Sequence, residues 1–280
     1  MTLKKLPVLT LLILLFSQAI AQPFSLRSTN EAKPFSLDIY FGTEGKGAFV
    51  QYRGQQGIIL LRLKTISNKG KSAQSKVTYV WDEVIGGKRT GSYGLTQEAG
   101  KLSGIWYKRG KDGRQFKLEQ IRASGEEARI DKYLIHDVLI SFRHTSDNLL
   151  VFRYSDGSTK TSQLPGFDHP DPRRQGTIAD YNFDGFDDVA FSIPDAGMGV
   201  YRTFSIYLYD PKSKRFQILA EPNISQGKCS GLCDVTLDKK NKRLISSCRG
   251  GATWWNDVYR FSSSNQLIWV KSGNSHNFQK

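Results

Sequence analysis

The chain of 280 residues carries 40 Lys and Arg against 26 Asp and Glu, a formal net charge of +14, with 39% hydrophobic residues. That apolar share supports globular cores rather than a disordered polymer, and the length leaves room for two domains. A basic balance favours anionic partners, but Lys and Arg are scattered and often flank turn residues, as in Ser67-Asn68-Lys69-Gly70-Lys71; with no basic helix and no nucleic-acid motif, a nucleic-acid partner is not expected.

At the start, Lys4 and Lys5 precede an apolar run from Val8 to Phe16, and Ala19-Ile20-Ala21 precedes Gln22. A basic n-region, a short apolar h-region and a small-residue cleavage site predict a secretory signal peptide over residues 1–21. The apolar run is too short for a bilayer, Ala21 is not followed by a lipidated Cys, and no later segment approaches ~18 apolar residues. The expectation is an exported protein, periplasmic or extracellular, with no transmembrane segment after signal cleavage. Without Lys4 and Lys5 the balance is 38 to 26, or +12.

Residues 22–34, mostly polar, read as a flexible lead-in. From there the chain is a succession of short apolar runs between Gly, Asn, Asp and Ser breaks, the pattern of an all-β protein of mainly antiparallel strands. Strands are predicted over 35–41, 48–52, 58–66, 77–84, 91–95, 102–108 and 116–121, the spacing of a small barrel or sandwich. Trp106 and Tyr107 must point to opposite faces of their strand, so one of them belongs to the core. Ser124-Gly125-Glu126-Glu127 is a polar boundary between an N-terminal β domain, 35–123, and a C-terminal β domain, 128–273. In the second domain strands are predicted over 134–143, 149–154, 188–193, 203–209, 215–219, 233–237, 243–248, 258–261 and 267–270.

The most informative stretch is Asp180-Tyr181-Asn182-Phe183-Asp184-Gly185-Phe186-Asp187-Asp188. Oxygen donors fall at positions 1, 3, 5 and 9 (Asp180, Asn182, Asp184, Asp188), Gly185 permits the sharp turn, and the Phe186 carbonyl adds another oxygen. Calcium takes 6–8 oxygens in a flexible shell, which suits this set. An EF-hand needs Glu at position 12, where this chain has Phe191, and the following residues read as a strand, so the shorter calcium loop found between β-strands is the better match.

Two long loops, 164–177 and 194–201, flank this region, and long loops in compact β domains tend to carry function. Tyr201 and Arg202, where the second loop rejoins its strand, are candidate partner-binding anchors, since aromatic and Arg side chains are favoured at binding hot spots. Three cysteines, Cys229, Cys233 and Cys248, predict one disulfide and one thiol, with Cys233–Cys248 and Cys229–Cys248 both open. His136, His144, His169 and His276 are dispersed, no nucleophile or metallohydrolase motif is present, and an enzyme is not expected.

The calcium loop, followed by Tyr207-Leu208-Tyr209-Asp210-Pro211-Lys212 and by Ser246-Ser247-Cys248-Arg249-Gly250-Gly251-Ala252, resembles a group of exported bacterial β proteins with FG-GAP-like calcium loops. That group includes an immunity protein against a lysozyme-like effector of a type IV secretion system, and is similar in fold to the periplasmic inhibitors of i-type lysozyme. The resemblance covers about residues 130–270. It implies that Asp180, Asn182, Asp184 and Asp188 ligate calcium, and that the protein blocks a peptidoglycan hydrolase with a loop, which needs no catalytic residues. One departure is electrostatic: many lysozymes are basic, and a +12 partner meets them with repulsion at long range. The alternative is a surface recognition or adhesion module for glycans or other envelope components, using aromatics such as Trp254-Trp255.

Overall fold

Alternating apolar and polar residues between tight turns fold as antiparallel strands throughout, giving an all-β protein. The computed structural model describes residues 23–274, apart from 70–75, 100, 123–128, 146, 168–172, 196, 198 and 223–224. The predicted signal peptide and the 124–127 boundary lie outside the described residues. No helix among the described residues is long and apolar enough to cross a membrane.

The first eight strands form a closed barrel in sequence order: β1 (Phe24–Ser28), β2 (Ser36–Tyr40), β3 (Phe49–Tyr52), β4 (Ile59–Lys69), β5 (Lys76–Ile85), β6 (Lys88–Glu98), β7 (Lys101–Arg109) and β8 (Gln115–Gln120). Closure is made by β1, which pairs with β2 on one side and, through Leu26 opposite Gln120, with β8 on the other. This corrects the reading of 22–34 as a lead-in. Phe24 and Leu26 alternate into the barrel and are buried, so the strand contributes core as well as hydrogen bonds. The interior is aromatic, with Trp81, Tyr93, Tyr107 and Phe116 among its buried side chains. Tyr107 points inward while Trp106 lies outside across from Gly94, where a Cβ would sit 2.4 Å from the indole.

The remaining strands form three four-stranded meanders. The first joins β9 (Ile130–Ile135), β10 (Val138–Arg143), β11 (Leu149–Arg153) and β12 (Thr159–Gln163). The second joins β13 (Gln175–Ala179), β14 (Asp188–Pro194), β15 (Arg202–Asp210) and β16 (Arg215–Ile218). The third joins β17 (Thr236–Asp238), β18 (Arg243–Gly250), β19 (Thr253–Phe261) and β20 (Leu267–Asn274). The single strand predicted over 134–143 is instead a hairpin, β9 and β10, turned by His136 and Asp137 with φ of 51° and 60°.

The second meander is the middle layer. Val189 and Phe191 pack toward the first meander, with Phe142, Phe152 and Tyr207; Ala190 faces the third, with Leu232, Leu244 and Tyr259. Both faces of β14 are therefore covered, which is why Asp188-Val189-Ala190-Phe191-Ser192-Ile193 is buried without alternation.

One end of the barrel is seated on these meanders. The turn Thr43–Gly45 and its flanks meet Tyr133, Ile135 and Ile178, and the Leu134 amide donates to the Gly47 carbonyl at 2.9 Å. Gly42 must lack a side chain, because a Cβ there would lie 2.4 Å from the Ile178 Cδ1. Inside the barrel the Trp81 Nε1–H donates to the Gly45 carbonyl at 2.8 Å and fixes the same corner from within.

Candidate functional site

The predicted calcium stretch is the hairpin connection between β13 and β14, whose ladder ends at the Ala179–Asp188 pair. Phe183 and Gly185 have φ of 63° and 94°, and these left-handed positions curl the loop back on its own side chains. Asp180 accepts the amides of Asp184 (3.0 Å) and Gly185 (2.9 Å) through its two carboxylate oxygens. Asn182 Oδ1 accepts the Asp184 amide at 3.3 Å, and Asp184 Oδ1 accepts that of Phe186 at 2.9 Å. These short side-chain-to-backbone bonds explain why Asp and Asn occupy alternate positions even before a cation is considered.

Asp188 behaves differently. It is fully buried, and its two oxygens accept the amides of Tyr181 and Tyr209, each at 2.8 Å. Burial pushes its carboxyl up to about 7, the two amide bonds oppose that shift, and the charges of Asp184 and Asp180 add to it.

The loop is also where the barrel and the three meanders meet. From the barrel, Lys46 Nζ reaches Asp187 Oδ1 at 2.5 Å; from the first meander, His136 Nε2 lies 2.9 Å from the Asp187 carbonyl oxygen. The second meander supplies Tyr209, and the third supplies Asn265, whose Oδ1 accepts from Asn182 Nδ2 at 3.3 Å. Phe186 is exposed at the tip, against the edges of His136 and Tyr209. None of these cross-sheet partners has a local sequence signal; Lys46 and Asp187 are 141 residues apart.

As a cation site the loop has the right chemistry in part. Asp180, Asn182 and Asp184 are drawn together by shared amide bonds, and each oxygen keeps a second lone pair for a hard cation. Asp188 is turned toward backbone amides of the sheet. Among the described residues no three His, Cys, Asp or Glu side chains form a metal-sized group.

The two long loops lie at the other end of β14. The first includes β13 from Gln175 onward, so its loop portion ends at Arg174, and the calcium hairpin begins only after that strand. A cation between β13 and β14 therefore sits a strand length, about 23 Å, from the two loops. What joins the loops is Arg202: its guanidinium donates to Ser192 Oγ and O and to the Arg173 carbonyl, at 2.9, 2.6 and 2.9 Å. Tyr201 is half-buried against the cysteine cluster. Asp195 closes the second loop by accepting the amides of Gly197 and Tyr201. Arg174, buried beneath the first loop, donates to Asn148 and to the Pro165 carbonyl, and its guanidinium lies 4.8 Å from the Phe167 ring centroid. Close by in the chain, buried His144 and Asp131 form a 3.0 Å pair that the sequence did not suggest.

Cys229 and Cys248 form the disulfide, with Cα atoms 5.5 Å apart. Cys233 is a buried thiol in the same cluster, its amide bonded to Ser246 Oγ. Burial pushes this thiol up to about 12, with the carboxylates of Asp234, Asp195 and Asp257 adding to the shift. It is expected to resist iodoacetamide at pH 8 in the native protein and to react fully in denaturant, with mass spectrometry placing the label on Cys233 alone. Labelling at native rates typical of an exposed thiol would contradict the burial. Trp255 packs on the same cluster beneath the Lys228 ammonium, so half of the Trp254-Trp255 pair serves the fold. Compared with known protein families and with curated proteins, the chain matches neither a family model nor any curated protein.

Proposed function

We propose that the chain is an exported calcium-binding protein whose loop-bearing end binds and inhibits a peptidoglycan hydrolase. The observation that carries the binding reading is Arg202: standing where the second loop rejoins its strand, its guanidinium ties Arg173, at the described end of the first loop, to Ser192 of β14, so the ends of the two loops are held side by side. Ordering loops before binding lowers the cost of association, at about 0.5–1.5 kcal/mol per immobilised side chain. Arg202 then acts from beneath as a positioning residue, and the contacts to a partner fall to the loops themselves and to Tyr201. The class of target rests on the resemblance carried by the calcium loop, the tyrosine strand and the Ser246-Ser247-Cys248-Arg249 segment.

Calcium belongs to this reading as a staple for the junction of the sheets, held by Asp180, Asn182 and Asp184 with the Phe186 carbonyl, while Asp188 anchors the end of the loop to the Tyr181 and Tyr209 amides. With a Kd near ~10⁻⁴ M and ~1 mM calcium, linkage gives about 1.4 kcal/mol of stabilisation. The melting temperature is expected to fall on chelation, and the difference to vanish in Asp184→Ala. Equal melting of the wild type with and without calcium would rule the cation out. Because the loop lies at the far end of β14, chelation at a temperature where the protein stays folded is expected to leave inhibition nearly unchanged.

Inhibition itself is tested by titrating a panel of muramidases and other peptidoglycan hydrolases with the wild type, Arg202→Ala and Tyr201→Ala. Wild type is expected to block at least one enzyme stoichiometrically, and both variants to weaken the block. Failure across the panel would favour the envelope-recognition reading.

A further inference from the structure

The barrel has a second, open end. The β1–β2 turn, the end of β3 and the β7–β8 turn gather there, opposite the end that rests on the meanders, around a cavity of ≈ 660 Å³. Its walls are the rings of Phe35, Tyr52, Tyr107 and Phe116. Phe35 meets Phe116 edge-on at 5.4 Å, and Tyr107 stacks on Phe116 at 5.8 Å.

Beneath the rings lies an inward-facing carboxyl that the fold does not use up. Glu83 is 3% exposed, on the same inward face of β5 as Tyr79 and Trp81. Its Oε1 accepts from the Thr90 hydroxyl at 2.7 Å and from the Tyr107 hydroxyl at 3.4 Å, whereas Oε2 has no hydrogen-bond partner. Next to it the hydroxyls of Tyr52 and Tyr93 share a 2.8 Å bond. A buried acceptor without a donor costs about 1–3 kcal/mol, more when it is charged, and Tyr107, a wall of the cavity, connects this carboxyl to the mouth.

The rim decides the class of ligand. Arg114 pairs with Glu31, Arg109 pairs with Asp112, and both guanidinium carbons lie over Phe116, 4.9 and 5.3 Å from its centroid. Cations and carboxylates alternate, and Glu31 and Asp112 offset two of the three rim cations Lys33, Arg109 and Arg114, so the net field at the mouth is small. What the mouth offers is flat apolar faces surrounded by interleaved hydrogen-bond donors and acceptors. A hydroxyl gives one hydrogen bond and takes others, so a neutral ring carrying several of them satisfies both kinds of group.

We propose that this mouth binds a saccharide unit of one or two neutral rings. The ring face lies against Phe35 and Tyr52, the half-buried aromatics of the wall, and its hydroxyls are shared between Glu31, Lys33 and Arg114 at the rim and Tyr107 below. The site is independent of the calcium loop and of the hydrolase-binding end.

The test uses the whole mature chain with a panel of neutral disaccharides built on glucose, galactose, mannose and N-acetylglucosamine. Saturation-transfer NMR and calorimetry read binding, and 1-anilinonaphthalene-8-sulfonate serves as an aromatic anion for contrast. At least one disaccharide is expected to bind at a single site with a Kd of about 1 mM or lower. The rim variants Lys33→Ala and Arg114→Ala are each expected to weaken it roughly tenfold, which is 1.4 kcal/mol. Tyr107→Phe keeps the ring and removes one hydroxyl, so it too is expected to weaken binding while leaving the circular dichroism spectrum native. No binding across the panel, binding of the sulfonate alone, or full affinity in natively folded Lys33→Ala/Arg114→Ala would overturn the proposal.

Discussion

Asp188→Ala is expected to destabilise the protein by about 2–6 kcal/mol, read as a lower urea midpoint at unchanged slope. The carboxylate is wholly inside, and it is the acceptor for two backbone amides from separate segments, Tyr181 in the loop and Tyr209 in β15. Removing it strands both N–H groups where water does not reach, at about 1–3 kcal/mol each. Asp188→Asn keeps one acceptor oxygen and the side-chain shape, so about half that loss is expected. Asp184→Ala, at the exposed tip, is expected to cost under about 1 kcal/mol in the absence of calcium. Similar losses for Asp184→Ala and Asp188→Ala in chelator would mean that the two buried amide bonds of Asp188 do not hold the loop to β15.

Trp81→Ala is expected to cost about 3–5 kcal/mol, the range for truncating a fully buried large aromatic. Trp81 is 0% exposed, stacks on Tyr79 at 5.3 Å and meets Phe41 at 5.2 Å, so truncation leaves a void no neighbour can fill without moving the barrel wall. The indole also holds the Gly45 carbonyl, and with it the corner on which Tyr133 and Ile178 rest. Trp81→Phe retains most of the volume and gives up that bond. Its cost is expected to be smaller, and its amide exchange is expected to rise around Gly45 and Leu134 more than in β6 or β7. Exchange that rises uniformly over the barrel would separate the corner from the indole bond.

Most strands were legible because each carries its own alternation and turn residues. The exceptions share a cause: their burial is decided by partners distant in the chain. β12 is almost wholly exposed and polar, an edge strand held by pairing with β11 rather than by apolar side chains. β13 hides inside an apparent loop because Gly176 is required beneath the Tyr133 ring, where a Cβ would lie 2.6 Å from the hydroxyl oxygen. The His136-Asp137 turn interrupts an otherwise continuous strand pattern without a glycine to announce it. The Asp and Asn spacing of the 180–188 loop was visible, since its bonds span two to five residues. Its anchorage to Lys46, His136 and Asn265 was not, because those contacts span from 51 to 141 positions. Arg202 shows the same limit from the other side. An exposed-looking Arg at a loop end suggested a partner contact, and three internal acceptors claim its guanidinium.

The seam between β1 and β8 has a consequence for how the molecule comes together. Leu26 finds Gln120 only when the whole intervening meander has formed, so this pairing has the longest loop to close and is among the last to be made. Until then β8 presents an open edge and β1 is held by β2 alone. The complementary edge need not come from the same chain: at high concentration during refolding, β1 of one molecule can seal the barrel of another and receive that molecule's β1 in exchange. A strand-exchanged dimer that persists on dilution, with native circular dichroism, is the side product this seam makes available.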